Sequence, residues 1–286
     1  MLSLLLSILC SALIFVTFKF IENLKINTFI PIIINYVIAT SLGLWLSSTE
    51  NVFNSNIYTN EFIIISIIAG FMFIAMFMSI ALSTQKAGIA VTSIAGKMSV
   101  VFPIIFSIFY FNENVTIIKI VAILLALSSI ALTVYKKEKT DNKRLLYPLV
   151  IFIGIGFLDS LMKYSQAVII NPQNLSVFTA LCFGISLCFG IIFSFFKKNL
   201  FVFFKDYRIY IAGIILGFLN YGSMYFLIKA LTNSSFDSSI TFGLNNLGIV
   251  GFSVLSGLLL FKEKLNLINW IGIILSIISI ILLTKL

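Results

Sequence analysis

Ten stretches of about 20 mainly apolar residues follow one another along the chain, most of them closed by a short polar break, and this pattern governs what it can fold into. Placed by the length a helix needs to cross a hydrocarbon layer, the predicted spans are residues 2–21, 28–48, 62–83, 88–110, 115–135, 146–166, 174–196, 208–230, 238–261 and 265–284. SSTENVFNSN, KKEKTDNKR and KKNLFVFFKDYR are the clearest breaks, whereas the gaps after the fourth and ninth spans are tight enough to force helical hairpins. A soluble domain carries about 25% charged residues; here the figure is 10%, with 60% hydrophobic residues, more apolar surface than one core can hide. The fold class expected is therefore an all-α polytopic membrane protein of ten transmembrane helices. The opening MLSLLLSILCSALIFVTFKF lacks a basic leader and a small-residue cleavage site, so it reads as a first span rather than a signal peptide.

The chain also repeats itself. FYFNENVTIIKIVAILLALSSIAL aligns with LLFKEKLNLINWIGIILSIISIIL at an offset of 150, matching Phe111 with Phe261, Glu113 with Glu263, Ile123 with Ile273 and Ser129 with Ser279. Two five-helix halves, residues 1–136 and 145–286, follow from this alignment. An odd number of spans per half makes the second copy enter the membrane in the opposite sense. Inverted repeats of that kind are typical of secondary transporters, which hold their substrate near the midplane where the repeats meet.

Ten spans, a duplicated five-helix unit and a glutamate in each tight hairpin resemble the EamA-type members of the drug/metabolite transporter superfamily. PIIFSIFYFNENVTIIKIVAI and LSGLLLFKEKLNLINWIGIIL carry the likeness, which covers the whole chain. It implies a basket-like bundle with a central cavity lined mainly by spans one, three, four, six, eight and nine. FGLNN, residues 242–246, is also similar to a G-A-L-N-K stretch of the related nucleotide-sugar transporters, but Asn246 stands where the lysine would be, so sugar-nucleotide binding is not carried over.

Several function classes are disfavoured. The chain has no histidine, which removes the commonest general base and metal ligand. No G-x-x-x-x-G-K-[ST] loop occurs, and Cys10, Cys182 and Cys188 have no metal or disulfide spacing and read as small core residues. The expectation is a chain that is not an enzyme, with neither cofactor nor metal. The net charge of +9 sits in short loops, as anchors at membrane ends do, and does not signal nucleic acid.

Charged and amide groups inside the spans are the candidate site. Lys97 lies nine residues into an apolar run, and an intramembrane lysine costs about 2.5–3.5 kcal/mol unless it faces a wet cavity or a partner. It reads either as a structural ion pair or as the cavity's fixed positive charge. Pro103, six residues on, can kink the same span. Asp159 in span six offers three alternatives: pairing with Lys97, titrating as a coupling group, or pairing with Lys163 at i+4. Asn246 is the repeat mate of Lys97 at an offset of 149, with Asn245 beside it; these amides contact substrate or a neighbouring helix. Tyr221 and Tyr225, with Tyr164 and Phe242, lie on the cavity helices and can stack on a ligand. Lys19 and Lys163 are expected at helix ends, where a cation suits the dipole, and as the cavity rim. Glu113 and Glu263 are expected to be structural, each capping the helix that follows its hairpin. Asn35 and Asn220 read as helix–helix contacts.

The function expected is secondary transport of a small polar or anionic metabolite by alternating access, as an exporter or exchanger in a cell membrane, with the bilayer, the solute and a coupling proton or counter-substrate as partners. A flippase for a lipid or lipid-linked precursor and a non-transporting assembly subunit are the alternatives. Lysines and arginines concentrate in the loops after the odd-numbered spans, which by the positive-inside rule puts the chain ends outside, whereas the family likeness implies cytoplasmic ends.

Overall fold

The computed structural model describes residues 1–46, 58–112, 115–134, 143–170, 174–196, 206–233 and 238–283. Every regular element among them is a helix: α1 (Leu2–Asn23), α2 (Phe29–Leu46), α3 (Asn60–Lys86), α4 (Ile89–Met98), α5 (Val101–Tyr110), α6 (Ile117–Val134), α7 (Lys143–Val168), α8 (Leu175–Phe195), α9 (Tyr207–Asn233), α10 (Ser238–Phe261) and α11 (Leu267–Leu283). Taking α4 and α5 as one stretch, nine helices among the described residues are long and apolar enough to cross a bilayer. The last expected span falls on α11, a shorter apolar helix of 17 residues. A helix satisfies its own backbone hydrogen bonds, which is the condition for a segment in lipid.

Many large apolar side chains point outward, among them Phe109, Ile117, Leu124, Phe195 and Leu259, as the surface of a multi-pass membrane protein requires. The outward faces also correct the reading of the cysteines. Only Cys182 is buried; Cys10 is half-buried and Cys188 is exposed. An apolar run in lipid has apolar residues on its outer face too, so membership of the run does not imply the core.

Two compact units are present, and each draws on both sequence halves. The first comprises Met1–Lys19, Ser79–Phe157 and Gly222–Leu286; the second comprises Phe20–Met78 and Leu158–Tyr221. In the first unit Ala90, Ile94, Met98 and Val101 pack with Ala126, Val250, Val254, Ile273 and Ile280. Its closest helix pair is α6 with α11, which meet along a seam of small and polar residues: Ala122, Ala126, Ser129 and Thr133 against Asn269, Gly272, Ser276 and Ser279. Asn269 Nδ2 donates to Leu132 O and Thr133 O at 3.2 and 2.8 Å, and Ser279 Oγ donates to Ala122 O at 2.8 Å. Residue numbers fall on one helix as they rise on the other, so the pair is antiparallel. Small side chains let two backbones approach and gain dispersion energy where lipid offers no hydrophobic drive.

In the second unit α2 packs on α8. A Cβ at Gly43 would lie 3.2 Å from Ala180 Cβ, and one at Gly217 would lie 2.5 Å from Ile38 Cβ, so glycine sets both approaches. Aromatic rings fill the rest: Phe62 meets Phe178 edge to face at 5.4 Å, and Tyr36 lies 5.9 Å from Phe77.

Local side chains start five of the helices. Asn27 Oδ1 accepts Phe29 N and Ile30 N at α2, Thr59 Oγ1 accepts Phe62 N at α3, Thr116 Oγ1 accepts Lys119 N at α6, and Asp206 Oδ1 accepts Arg208 N at α9. At α11, Asn266 Oδ1 accepts Asn269 N at 2.8 Å while Asn269 Oδ1 accepts Asn266 N at 3.0 Å, a reciprocal capping box. The start of α4 differs: Gly88 precedes it and has no side chain to cap with.

Candidate functional site

The expected kink is a break. Ser99 and Val100 separate α4 from α5, with backbone angles of −57°, −16° and −53°, −19°, values of a tight 3₁₀ turn. Pro103 has no N–H to return to Ser99 O, and Phe102 N takes that carbonyl instead, at 2.9 Å. In a continuous helix Phe102 N would serve Met98 O. Ser99 Oγ folds back onto Gly96 O at 2.6 Å. Lys97 is half-buried in the last turn of α4. A helix C-terminus carries about half a negative charge and favours a cation by about 0.3–1 kcal/mol, up to ~2 when partly buried. The break therefore provides Lys97 with compensation that an unbroken span would lack.

Glu263 fixes where this break sits. Its carboxylate accepts Ile89 N at 2.7 Å and Ala90 N at 3.3 Å, supplying from the α10–α11 turn the cap that Gly88 cannot. The expectation that Glu263 caps the following helix is corrected: Asn266 caps α11, and Glu263, three residues earlier, turns to α4 instead. Room for the carboxylate comes from two glycines. A Cβ at Gly88, which has φ +105°, would lie 2.9 Å from Oε1, and one at Gly257 would lie 2.6 Å from Oε2. The start of α4 thus meets the end of α10, and since the two helices pack together they run antiparallel. Glu113, the repeat mate, lies outside the described residues.

This clip sets a register. Twelve residues down α4 from Gly88 is Val100, and twelve residues back along α10 from Gly257 is Asn245. At 1.5 Å per residue both lie about 18 Å from the clip, close to the middle of a hydrocarbon layer about 30 Å thick. The break, Lys97 just before it, and the Asn245–Asn246 pair therefore share one depth. Asn245 is buried with 3% exposure, and its Oδ1 has no hydrogen-bond partner among the described residues; Asn246 is half-buried. Ser253 Oγ, two turns further along α10, is likewise buried without a partner. By contrast, Ser66, Thr133 and Thr179 each bond the carbonyl four residues back in their own helix, so intramembrane hydroxyls do not by themselves mark a site.

The other candidates in the first unit are accounted for by local geometry. Lys19 does not end α1, which runs on to Asn23; its ammonium reaches Gln85 O at the C-terminus of α3, at 3.1 Å, and Gln85 Nε2 returns a bond to Phe18 O. It ties α1 to α3 rather than neutralising its own helix. Tyr225 is exposed, with Lys229 Nζ 5.9 Å over its ring; Phe242 is exposed as well.

In the second unit, Asp159 and Lys163 stand one turn apart on α7, both half-buried. Lys163 also falls short of its helix end, since α7 continues to Val168. Tyr221 is half-buried with its ring against Gly43. The Tyr164 hydroxyl donates to Glu61 Oε1 at 2.6 Å, a contact that links α7 to the first turn of α3 and that nothing in the local sequence signals. Asn35 is fully buried and its Oδ1 has no partner among the described residues. An apolar recess of about 190 Å³ opens between α2 and α8, lined by Thr40, Leu44, Tyr58, Val177 and Leu181 among others.

No family model matches the chain. It is similar to a Haemophilus influenzae protein that is named only as uncharacterized, with 26% identity over 286 residues, covering 97% of this chain and 96% of that one.

Proposed function

We propose that the chain is a secondary transporter, built as ten spans in two inverted five-helix repeats of the EamA type, that moves a small polar or anionic metabolite across a bacterial inner membrane by alternating access. One observation carries the reading: a half-helix that ends in mid-span, with Lys97 at its end and the unpartnered acceptor of Asn245 at the same depth. Discontinuous helices with polar groups near the midplane are how such carriers build a site without water in the surrounding lipid. The antiparallel pairing of α6 with its repeat mate α11 supports the inverted repeat, since mates related by an axis in the membrane plane must run oppositely.

In this mechanism Lys97 is the site's fixed positive charge. The solute enters between the repeats, takes its polar contacts from Lys97, Asn245 and Asn246, and the two halves rock about it. The Glu263 clip holds α4 at its outer end while the 3₁₀ turn provides the hinge. A flippase would use the same framework with a lipid-linked head group as cargo. A non-transporting subunit is the weaker reading, because a purely structural bundle gains nothing from a lysine at a mid-span helix end beside an acceptor without a partner among the described residues. Uptake and counterflow into vesicles containing the purified chain test the proposal. A saturable flux abolished by Lys97→Ala is expected; no flux for any solute class, with the variant merely less stable, refutes it.

A further inference from the structure

We propose that Asn245 is the acceptor that reads the solute, and that the group presented to it is an uncharged hydrogen-bond donor, a hydroxyl or an amide N–H. The inference rests on the transport reading above and narrows its substrate class.

The chain itself shows what an amide used as interhelical glue looks like. Asn269 spends both ends: its Nδ2 donates to two carbonyls of α6 and its Oδ1 accepts Asn266 N. Asn245 is as deeply buried, yet its Oδ1 accepts nothing among the described residues. A buried acceptor left without a donor is costly, and the cost is greater where no water competes. At the same depth Phe102 N bonds Ser99 O rather than Met98 O. An acceptor without a partner among the described residues calls for a donor on the ligand.

The same place argues against a full charge on that part of the ligand. A cationic group would meet Lys97, one residue from the end of α4. An anionic one brings no N–H or O–H for Asn245 Oδ1 to accept. A neutral donor meets neither objection.

A residue held for a ligand differs from glue in the sign of its effect on stability. Replacing an unpaired acceptor by an apolar side chain removes its desolvation cost, whereas replacing glue removes bonds. The test is thermal unfolding of the purified full chain, Asn245→Leu and Asn245→Val, alone and with ribitol, nicotinamide, succinate or tetramethylammonium, together with vesicle uptake of the same four probes. At least one variant is expected to melt above the unsubstituted chain, by about 2–4 °C. Ribitol or nicotinamide is expected to raise the melting point of the unsubstituted chain and not of the variants. If both variants melt lower, the proposal is overturned, because the amide is then structural. Succinate or tetramethylammonium taken up at equal rates by chain and variants overturns the donor assignment and leaves transport standing. No uptake of any probe, with both variants melting lower, overturns both.

Discussion

Glu263 and Gly257 offer the sharpest test of how the fold holds its site. Alanine at 263 removes two bonds to the first turn of α4, one short at 2.7 Å and one long at 3.3 Å. An N-cap lost to alanine costs about 1 kcal/mol, up to ~2, and the charge of a carboxylate at a helix N-terminus adds about 0.3–1. Glu263→Ala should therefore cost about 2–3 kcal/mol. Gly257→Ala acts on the same carboxylate from the other side. All the atoms nearest to its added Cβ belong to Glu263, the closest at 2.6 Å. Ordinary contact needs close to 3.5 Å, so the carboxylate must retreat by about 1 Å, which breaks the longer bond. Glycine is helical there and has no conformational demand of its own, so with the carboxylate gone alanine should stabilise α10 by up to ~1 kcal/mol.

The prediction is a change of sign. Gly257→Ala destabilises the unsubstituted chain by about 1 kcal/mol and stabilises the Glu263→Ala background by a similar amount, a coupling of about 2 kcal/mol. Thermal unfolding of the four proteins in detergent, followed by intrinsic fluorescence, measures it; on the scaling of globular chains 1 kcal/mol moves the midpoint by about 2–4 °C. Effects that add to within about 0.5 kcal/mol would show that the two residues do not share a site, and the register drawn from the clip would fall with them.

Three further outcomes follow from single contacts. Pro103→Ala restores an N–H that can close onto Ser99 O; the chain should become more stable by about 1 kcal/mol or more, while vesicle flux falls because the hinge is lost. Asn266→Ala removes the capping box of α11 and should lower the unfolding midpoint by the equivalent of about 1 kcal/mol without altering the solute's half-saturation concentration, which separates it from Asn245. Gly217→Ala would drive a Cβ to 2.5 Å from Ile38 Cβ and 3.1 Å from Asn35 O; overpacking of about 1–3 kcal/mol should appear as earlier unfolding, and Gly251→Ala, which meets nothing within 4 Å, serves as the control.

What the sequence made legible was whatever depends on composition over 20 residues. The spans were readable because lipid demands an unbroken apolar helix, and the break near Lys97 because proline removes one named hydrogen bond. The assignment of Glu263 to α11 failed for a different reason. A cap is normally read from the residues just before a helix, and Asn266 fits that rule, but the α4 N-terminus is served by a side chain 174 residues away. Gly88 was the clue, a helix start with no side chain to cap it. The lysines were misplaced because helix ends in apolar sequence are soft: α1 and α7 each continue several residues past Lys19 and Lys163. Glu61 with Tyr164, and the unpartnered oxygens of Asn35 and Ser253, depend on which face meets which neighbour. One face of an apolar helix looks much like another in the sequence.

On the proposed repeat, the two halves are alike in plan and unlike where it matters. At an offset of 149 Ile89, the first residue of α4, reaches Ser238 at the start of α10, and Lys97 reaches Asn246, but Pro103 reaches Phe252. Phenylalanine keeps its N–H, and α10 runs unbroken from Ser238 to Phe261. Of this pair of stretches, only α4–α5 has a helix end in mid-span, and only it carries a lysine. The pairing is physical: a lysine at the corresponding point of α10 would face an intact ladder with no free carbonyl end to offset it, while a break in α4 without a cation would leave an uncompensated negative end. The second half supplies instead an uncharged amide, which an unbroken helix tolerates. Each half therefore contributes what its backbone can support, and the site is asymmetric because one proline made the two backbones different.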